Sequence, residues 1–168
     1  MGYTTDFDGE FNLDKPLTLN QINYLNKFNE TRRMKRDNSL LPTSGLHQSV
    51  NLPLGVEGEY FVDGLGFAGQ DRSENIIDYN ATPTTQPSLW CQWCPSEDGE
   101  SIVWDEGEKF YCYTEWLEYL IFNFLEPWGY KLNGVVKWYG EDHNDRGEIH
   151  VNDNKIEIYE YETKLVKI

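Results

Sequence analysis

A chain of 168 residues with 29 Asp or Glu against 14 Lys or Arg carries a formal net charge of −15 at pH 7. That charge repels nucleic-acid phosphates and anionic lipids, so we expect no direct nucleic-acid binding and instead a basic protein partner. No stretch approaches the roughly 20 continuous apolar residues of a membrane helix, and residues 1–6 have neither a basic region nor an apolar run. We expect one cytoplasmic domain over residues 1–168, with no membrane contact.

The first 37 residues predict a strand and a helix. Apolar and polar residues alternate over residues 3–13, which is typical of a half-buried strand, and Gly9 is interpreted as a bulge. Thr18 and Gln21 form a capping-box pattern that opens a helix. The predicted buried stripe of that helix is Leu19, Ile22, Leu25 and Phe28.

The predicted helix ends in a basic cluster. We interpret it first as cations that complement the negative end of the helix dipole. A docking patch for an anion or a partner, or a contact with the acidic part of the chain, are the alternatives. Its members are Arg32, Arg33, Lys35 and Arg36.

Residues 38–58 lose periodicity and predict a long loop. Residues 60–62 predict a short strand, and Gly64, Gly66 and Gly69 then form a GxGxxG pattern, which is a candidate ligand loop. A dinucleotide-binding loop needs a helix next and an acidic residue about 20 positions later. Both are missing here, so a glycine-rich turn is favoured.

The core is predicted between residues 59 and 162, and residues 163–168 are a short tail. All six tryptophans lie between Trp90 and Trp138. Residues 89–94 predict a central strand covered on both faces. Further strands are predicted at 76–79, 102–104, 134–139, 147–151 and 155–161, with a helix at 114–126, and the turn at 152–154 predicts a hairpin. The fold class is therefore α+β, a mainly antiparallel sheet with two helices packed on it.

Two acidic clusters are the candidate partner-binding residues. The first surrounds the predicted strand at 102–104, and the second surrounds the turn that precedes Gly147. The candidates are Glu97, Asp98, Glu100, Asp105, Glu106 and Glu108 in the first cluster and Glu141, Asp142 and Asp145 in the second.

Metal and catalytic interpretations are weaker. Cys91, Cys94 and Cys112 with a histidine form a zinc hypothesis, but positions on opposite faces of a strand do not converge on one ion. Residues 142–147 resemble a calcium loop only in part, because Arg146 occupies a ligand position. Paired carboxylates suit acid–base hydrolysis, but no nucleophile–base motif is present, so we predict no catalytic residue, metal or cofactor.

Several motifs resemble a family of uncharacterised phage and bacterial proteins. They are the opening MGYTTDF, LWCQW at residues 89–93, WDEGEKFY at 104–111, EWLEYLI at 115–121, PWGY at 127–130 and LNG at 132–134. The order of a tryptophan strand, a helix and a strand ending at residue 142 is similar to ferredoxin-like domains of phage and conjugative-plasmid proteins. The family resemblance implies a phage or prophage accessory protein in the host cytoplasm, and it implies no site residue.

Three functional hypotheses follow. The leading one is a small acidic binding protein that docks on a basic host protein such as a nuclease or a defence complex, as an inhibitor that mimics nucleic acid. The second is a small-ligand or nucleotide-binding protein or a hydrolase, with a pocket where the glycine-rich turn, the tryptophan strand and the long loop meet. The third is a virion or assembly component. The oligomeric state stays open.

Overall fold

The computed structural model describes residues 2–62 and 73–168. The strands are β1 (Thr5–Leu13), β2 (Lys35–Arg36), β3 (Ile76–Asp78), β4 (Trp93–Pro95), β5 (Ser101–Trp104), β6 (Leu132–Gly140), β7 (Arg146–Asn152) and β8 (Lys155–Glu160). The α-helices are α1 (Leu19–Glu30), α2 (Leu46–Ser49) and α3 (Tyr113–Leu120), and α3 continues into a π-helical turn (Ile121–Leu125). Six strands form one antiparallel sheet with the order β4-β5-β1-β6-β7-β8, while β2 and β3 pair separately.

The predicted α+β class is therefore confirmed. The elements β1, α1, β4, β5, α3 and β6 also follow the strand–helix–strand–strand–helix–strand order of ferredoxin-like domains. The ferredoxin-like assignment itself stays a prediction.

The two faces of the sheet differ because side chains alternate along each strand. Along β1, Phe7 and Phe11 point to the helices, whereas Asp6, Asp8 and Glu10 are exposed on the opposite face. The helices α1 and α3 supply the other side of the core, where Phe28 of α1 packs edge-on against Trp116 and Phe124. The sheet therefore has one buried and one open face.

The structure confirms the predicted cap of the helix α1 and corrects its predicted buried stripe. The hydroxyl of Thr18 accepts from the Gln21 amide, and the Gln21 side chain accepts from the Thr18 amide. Leu25 and Phe28 are buried, but Leu19 is 72% exposed and Tyr24 takes the inward position instead. The prediction for Leu19 is wrong because the first helical residue lies beyond the edge of the core.

The tryptophan segment is not the predicted central strand. Only its end, Trp93–Pro95, is a strand, and it lies at the edge of the sheet. The backbone before it bonds to other elements: the Leu89 carbonyl accepts from the Arg33 amide, and the Cys91 carbonyl accepts from the Asn29 side chain. Tertiary contacts thus replace the strand pairing that the sequence pattern suggests.

Three smaller predictions also need correction. Residues 60–62 form no strand. Gly9 makes no bulge, since β1 and β6 pair residue for residue through it. The helix α1 ends at Glu30, and Arg33 and Arg36 beyond it are buried, so these two side chains do not serve the helix dipole.

Candidate functional site

Two of the predicted acidic segments meet at one end of the sheet. The first strand begins beside the end of β6, where Thr5 pairs with Gly140. The strand β5 runs antiparallel to β1, so its last residue, Trp104, leads to the same end. The loop after β5 and the turn between β6 and β7 therefore lie side by side. We call their carboxylates the acidic rim: Asp105, Glu106, Glu108, Glu141, Asp142 and Asp145.

Residues 2–4 join the two halves of the rim. The Tyr3 amide donates to the hydroxyl of Tyr111 (3.0 Å), just beyond the first loop. The Tyr3 hydroxyl donates to Asp145 Oδ2 (2.8 Å) and accepts from the Asp142 amide (3.0 Å) in the turn. The Thr4 amide donates to Glu141 Oε1 (2.8 Å). One short segment thus holds both acidic loops in place.

Some rim carboxylates build the loops that carry them. Asp105 accepts from the Gly107 amide (2.7 Å) and from the Asn29 side chain (2.9 Å). Asp145 accepts from the indole N–H of Trp138 (2.9 Å) and is half-buried. Asp142 accepts from the Asn144 amide. These contacts fix the loops so that the remaining carboxylates face solvent.

The rim rests on a cluster of aromatic side chains. Phe7 lies 4.9 to 5.9 Å, between ring centroids, from the four rings of Trp93, Trp104, Phe110 and Tyr113. Burial, together with the smaller effect of the negative charges of Asp145 and Glu115, raises the pKa of Tyr113 to about 12. The acidic loops therefore have a rigid base, and their field reaches into it.

The other three candidates lie at the opposite end. Glu97, Asp98 and Glu100 are exposed in the turn between β4 and β5, beside the end of β1. The four residues of β5 separate them from Asp105 by roughly 13 Å along the strand. Lys15 and Lys131 also lie at this end, and the Asp14 amide donates to the Lys131 carbonyl (3.0 Å). The structure thus divides the first sequence cluster in two.

An acidic row on the open face extends the rim, and the sequence interpretation missed it. Asp6, Asp8 and Glu10 occupy alternate positions of β1, and all three are exposed. Such positions repeat about every 6.8 Å along a strand. The alternation of apolar and polar residues that predicts the strand also predicts this row, because most of the polar residues in that alternation are acidic.

The described residues offer no metal centre. Within residues 2–62 and 73–168, no three His, Cys, Asp or Glu side chains lie together as ligands. The three cysteines are free, and burial raises the pKa of the Cys94 thiol to about 11. The candidate loop with Gly64, Gly66 and Gly69 lies outside the described residues.

A cavity of about 740 Å³ adjoins the rim at Glu108. Its wall combines aromatic and apolar side chains with amides and hydroxyls, and it uses the tryptophan segment as the second hypothesis requires. The long loop at residues 38–58 contributes nothing to its lining. The lining residues are Asn80, Ala81, Thr82, Pro87, Ser88, Leu89, Trp90, Gln92, Glu108, Lys109 and Tyr111.

Comparison with protein-family models, with curated proteins and with solved structures gave no match for the chain. Among the described residues, no helix has both the length and the apolar character needed to cross a membrane.

Proposed function

We propose that this protein is a non-enzymatic binding protein that docks on a basic surface of another protein through the acidic rim and the row on β1. One observation carries the proposal: carboxylates of the loop after β5 and of the turn between β6 and β7 lie together at one end of the sheet, and the exposed acidic row on β1 runs from that end along the open face. Lys109 lies in the first rim loop, Arg146 follows the turn, and Lys137 of β6 pairs directly with Asp8 of the row. The six carboxylates of the rim and the three of the row outnumber these cations, so the surface stays negative.

The electrostatics favour a partner rich in arginine and lysine. Converging carboxylates speed association with a positive surface and reject negative ones. Arginine in particular pairs with carboxylates through two parallel hydrogen bonds. A nucleic-acid-binding groove is the protein surface that most often carries such cations. We therefore propose a nuclease or a nucleic-acid-binding defence complex as the partner, which agrees with the phage resemblance of the sequence motifs.

The test is calorimetric titration of the full chain with an octa-arginine peptide at low salt. Glu106 and Glu108 face solvent at the rim, whereas Glu97 and Glu100 face solvent at the other end. The Glu106→Gln/Glu108→Gln variant should lose roughly fivefold in affinity, because each exposed charge contributes up to about 1 kcal/mol. The matched control, Glu97→Gln/Glu100→Gln, should lose about twofold at most.

Equal losses in the two variants would show that net charge alone attracts the peptide and would overturn the assignment of the rim. Loss of binding as salt is raised is expected in either case, since exposed charges more than about 8 Å apart are screened at physiological ionic strength.

The cavity beside Trp90 supports a second candidate function, the binding of a small ligand. A concave site with aromatic walls and a few amide and hydroxyl groups suits a compact polar–aromatic molecule. A thermal-shift screen with nucleotides and sugars should then raise Tm for the wild type and leave it unchanged in Trp90→Ala. No increase in Tm with any of these compounds would exclude the two ligand classes.

A further inference from the structure

The six-stranded sheet ends at β8 with an open edge. Within the described part of the chain, β8 pairs with β7 alone. The Tyr161 amide donates to the Arg146 carbonyl (3.0 Å), so the odd-numbered residues of this strand bond to β7. Because bonding direction alternates along an antiparallel strand, the amides and carbonyls of Ile156, Ile158 and Glu160 point to the free edge. Such an edge is a template for one more strand.

A groove of about 510 Å³ lies between this edge and α3. Its floor includes two exposed apolar side chains, Phe122 (72% exposed) and Ile158 (50% exposed). Its helical wall carries Glu115, Glu118 and Glu126. The groove therefore suits a strand that is both apolar and basic.

Residues 161–168 have this character. Beyond Tyr161 they continue without pairing to another strand among the described residues, and Leu165 and Ile168 are fully exposed, as is most of Val166 (74%). Lys164 and Lys167 lie among these apolar side chains, and Thr, Val and Ile favour extended structure. A soluble chain that exposes three large aliphatic residues in one short segment presents a docking element.

We propose that residues 163–168 of one copy add as an antiparallel strand to the β8 edge of a second copy, and that the exchange is reciprocal. Directly opposed residues on antiparallel strands share a face. One register therefore places both lysines opposite glutamates and the apolar residues opposite apolar or aromatic ones. A two-fold axis then passes between the two Glu162 residues, as a symmetric dimer requires. The opposed pairs are Lys164 with Glu160, Leu165 with Tyr159, Val166 with Ile158, Lys167 with Glu157 and Ile168 with Ile156.

The second copy is favoured over the same copy as the source of the strand. Folding back onto its own β8 would need a tight reversal at Glu162 and Thr163, and neither is a residue that prefers the left-handed conformation of such turns. A two-residue reversal there would also place Lys167 against Ile158, which mismatches charge with an apolar contact.

Sedimentation velocity on the full chain tests the proposal. The wild type should form a dimer whose fraction rises with concentration. The Val166→Asp/Ile168→Asp variant should be monomeric over the same range, because both aliphatic contacts are lost and the new charges meet an acidic groove. These side chains lie outside the core, so the fold should persist. Leu19→Asp is the control, since this exposed leucine lies in α1, and it should leave the dimer unchanged.

A charge exchange tests the register. Lys167→Glu and Glu157→Lys should each weaken the dimer about fivefold, since the pair occurs twice per dimer, and the double variant should restore it. A wild type that stays monomeric, or an aspartate variant that still dimerises, would overturn the proposal. Failure of the double variant to recover would overturn the register.

Discussion

Arg33 places a positive charge inside the core, where it is only 2% exposed. Its guanidinium lies 4.2 Å from the centroid of the Phe28 ring and donates to the Glu59 carbonyl (2.7 Å). Burial lowers the pKa of this arginine. Lysine cannot reproduce both the planar stacking and the fork of donors, so Arg33→Lys should reduce the free energy of unfolding by about 2 kcal/mol. Urea denaturation measures the loss, and Arg32→Lys, at a half-buried neighbour, should cost clearly less.

Asp98 links stability to pH in the turn between β4 and β5. Hydrogen bonds from the Glu100 amide (3.0 Å) and the Ser96 hydroxyl (2.7 Å) lower its pKa. A lowered pKa in the folded state adds stability at neutral pH, and this contribution disappears as pH falls through the folded pKa. Asp98→Asn should therefore be less stable than wild type at pH 7, and the gap should narrow near pH 2. A gap that does not change with pH would contradict the role of the charge.

At the scale of elements, the hairpin between β7 and β8 depends on its turn. Asp153 and Asn154 both have positive φ angles (45° and 71°). The Asn154 side chain also accepts from the Leu132 amide (2.6 Å) and donates to the Tyr130 carbonyl (2.9 Å). Asn154→Ala loses the bonds and strains the backbone, so it should cost about 3 kcal/mol, whereas Asn154→Gly keeps the conformation and should cost about 2 kcal/mol. Equal losses in urea denaturation would show that the left-handed conformation contributes nothing.

Local sequence signals predict several of these elements. The cap at Thr18 and Gln21, the alternation of β1 and the turn at residues 152–154 are local signals, and all three elements are confirmed. The position of Trp93 at the sheet edge depends on which strand pairs with β5, and no local pattern encodes that. The sequence predicts which segments are acidic. Their division between the two ends of the sheet follows from the strand order alone.

Over the whole molecule, the net charge of −15 is distributed unevenly. Ion pairs between described residues include Lys27 with Glu30 and Lys35 with Glu57, and neither involves the rim. Lys15 and Lys131 lie at the other end, and Lys137 of β6 pairs with Asp8 in the middle of the row. Negative potential should therefore be strongest around the rim and the Asp6 end of the row.

Amide chemical shifts recorded while octa-arginine is added to the full chain show whether the rim and the row on β1 bind cations. Saturable shifts should concentrate at residues 105–108, at 141–145 and along β1, and they should vanish at high salt as the charges are screened. The largest shifts at residues 96–100, or small shifts spread over the whole surface without saturation, would contradict this prediction.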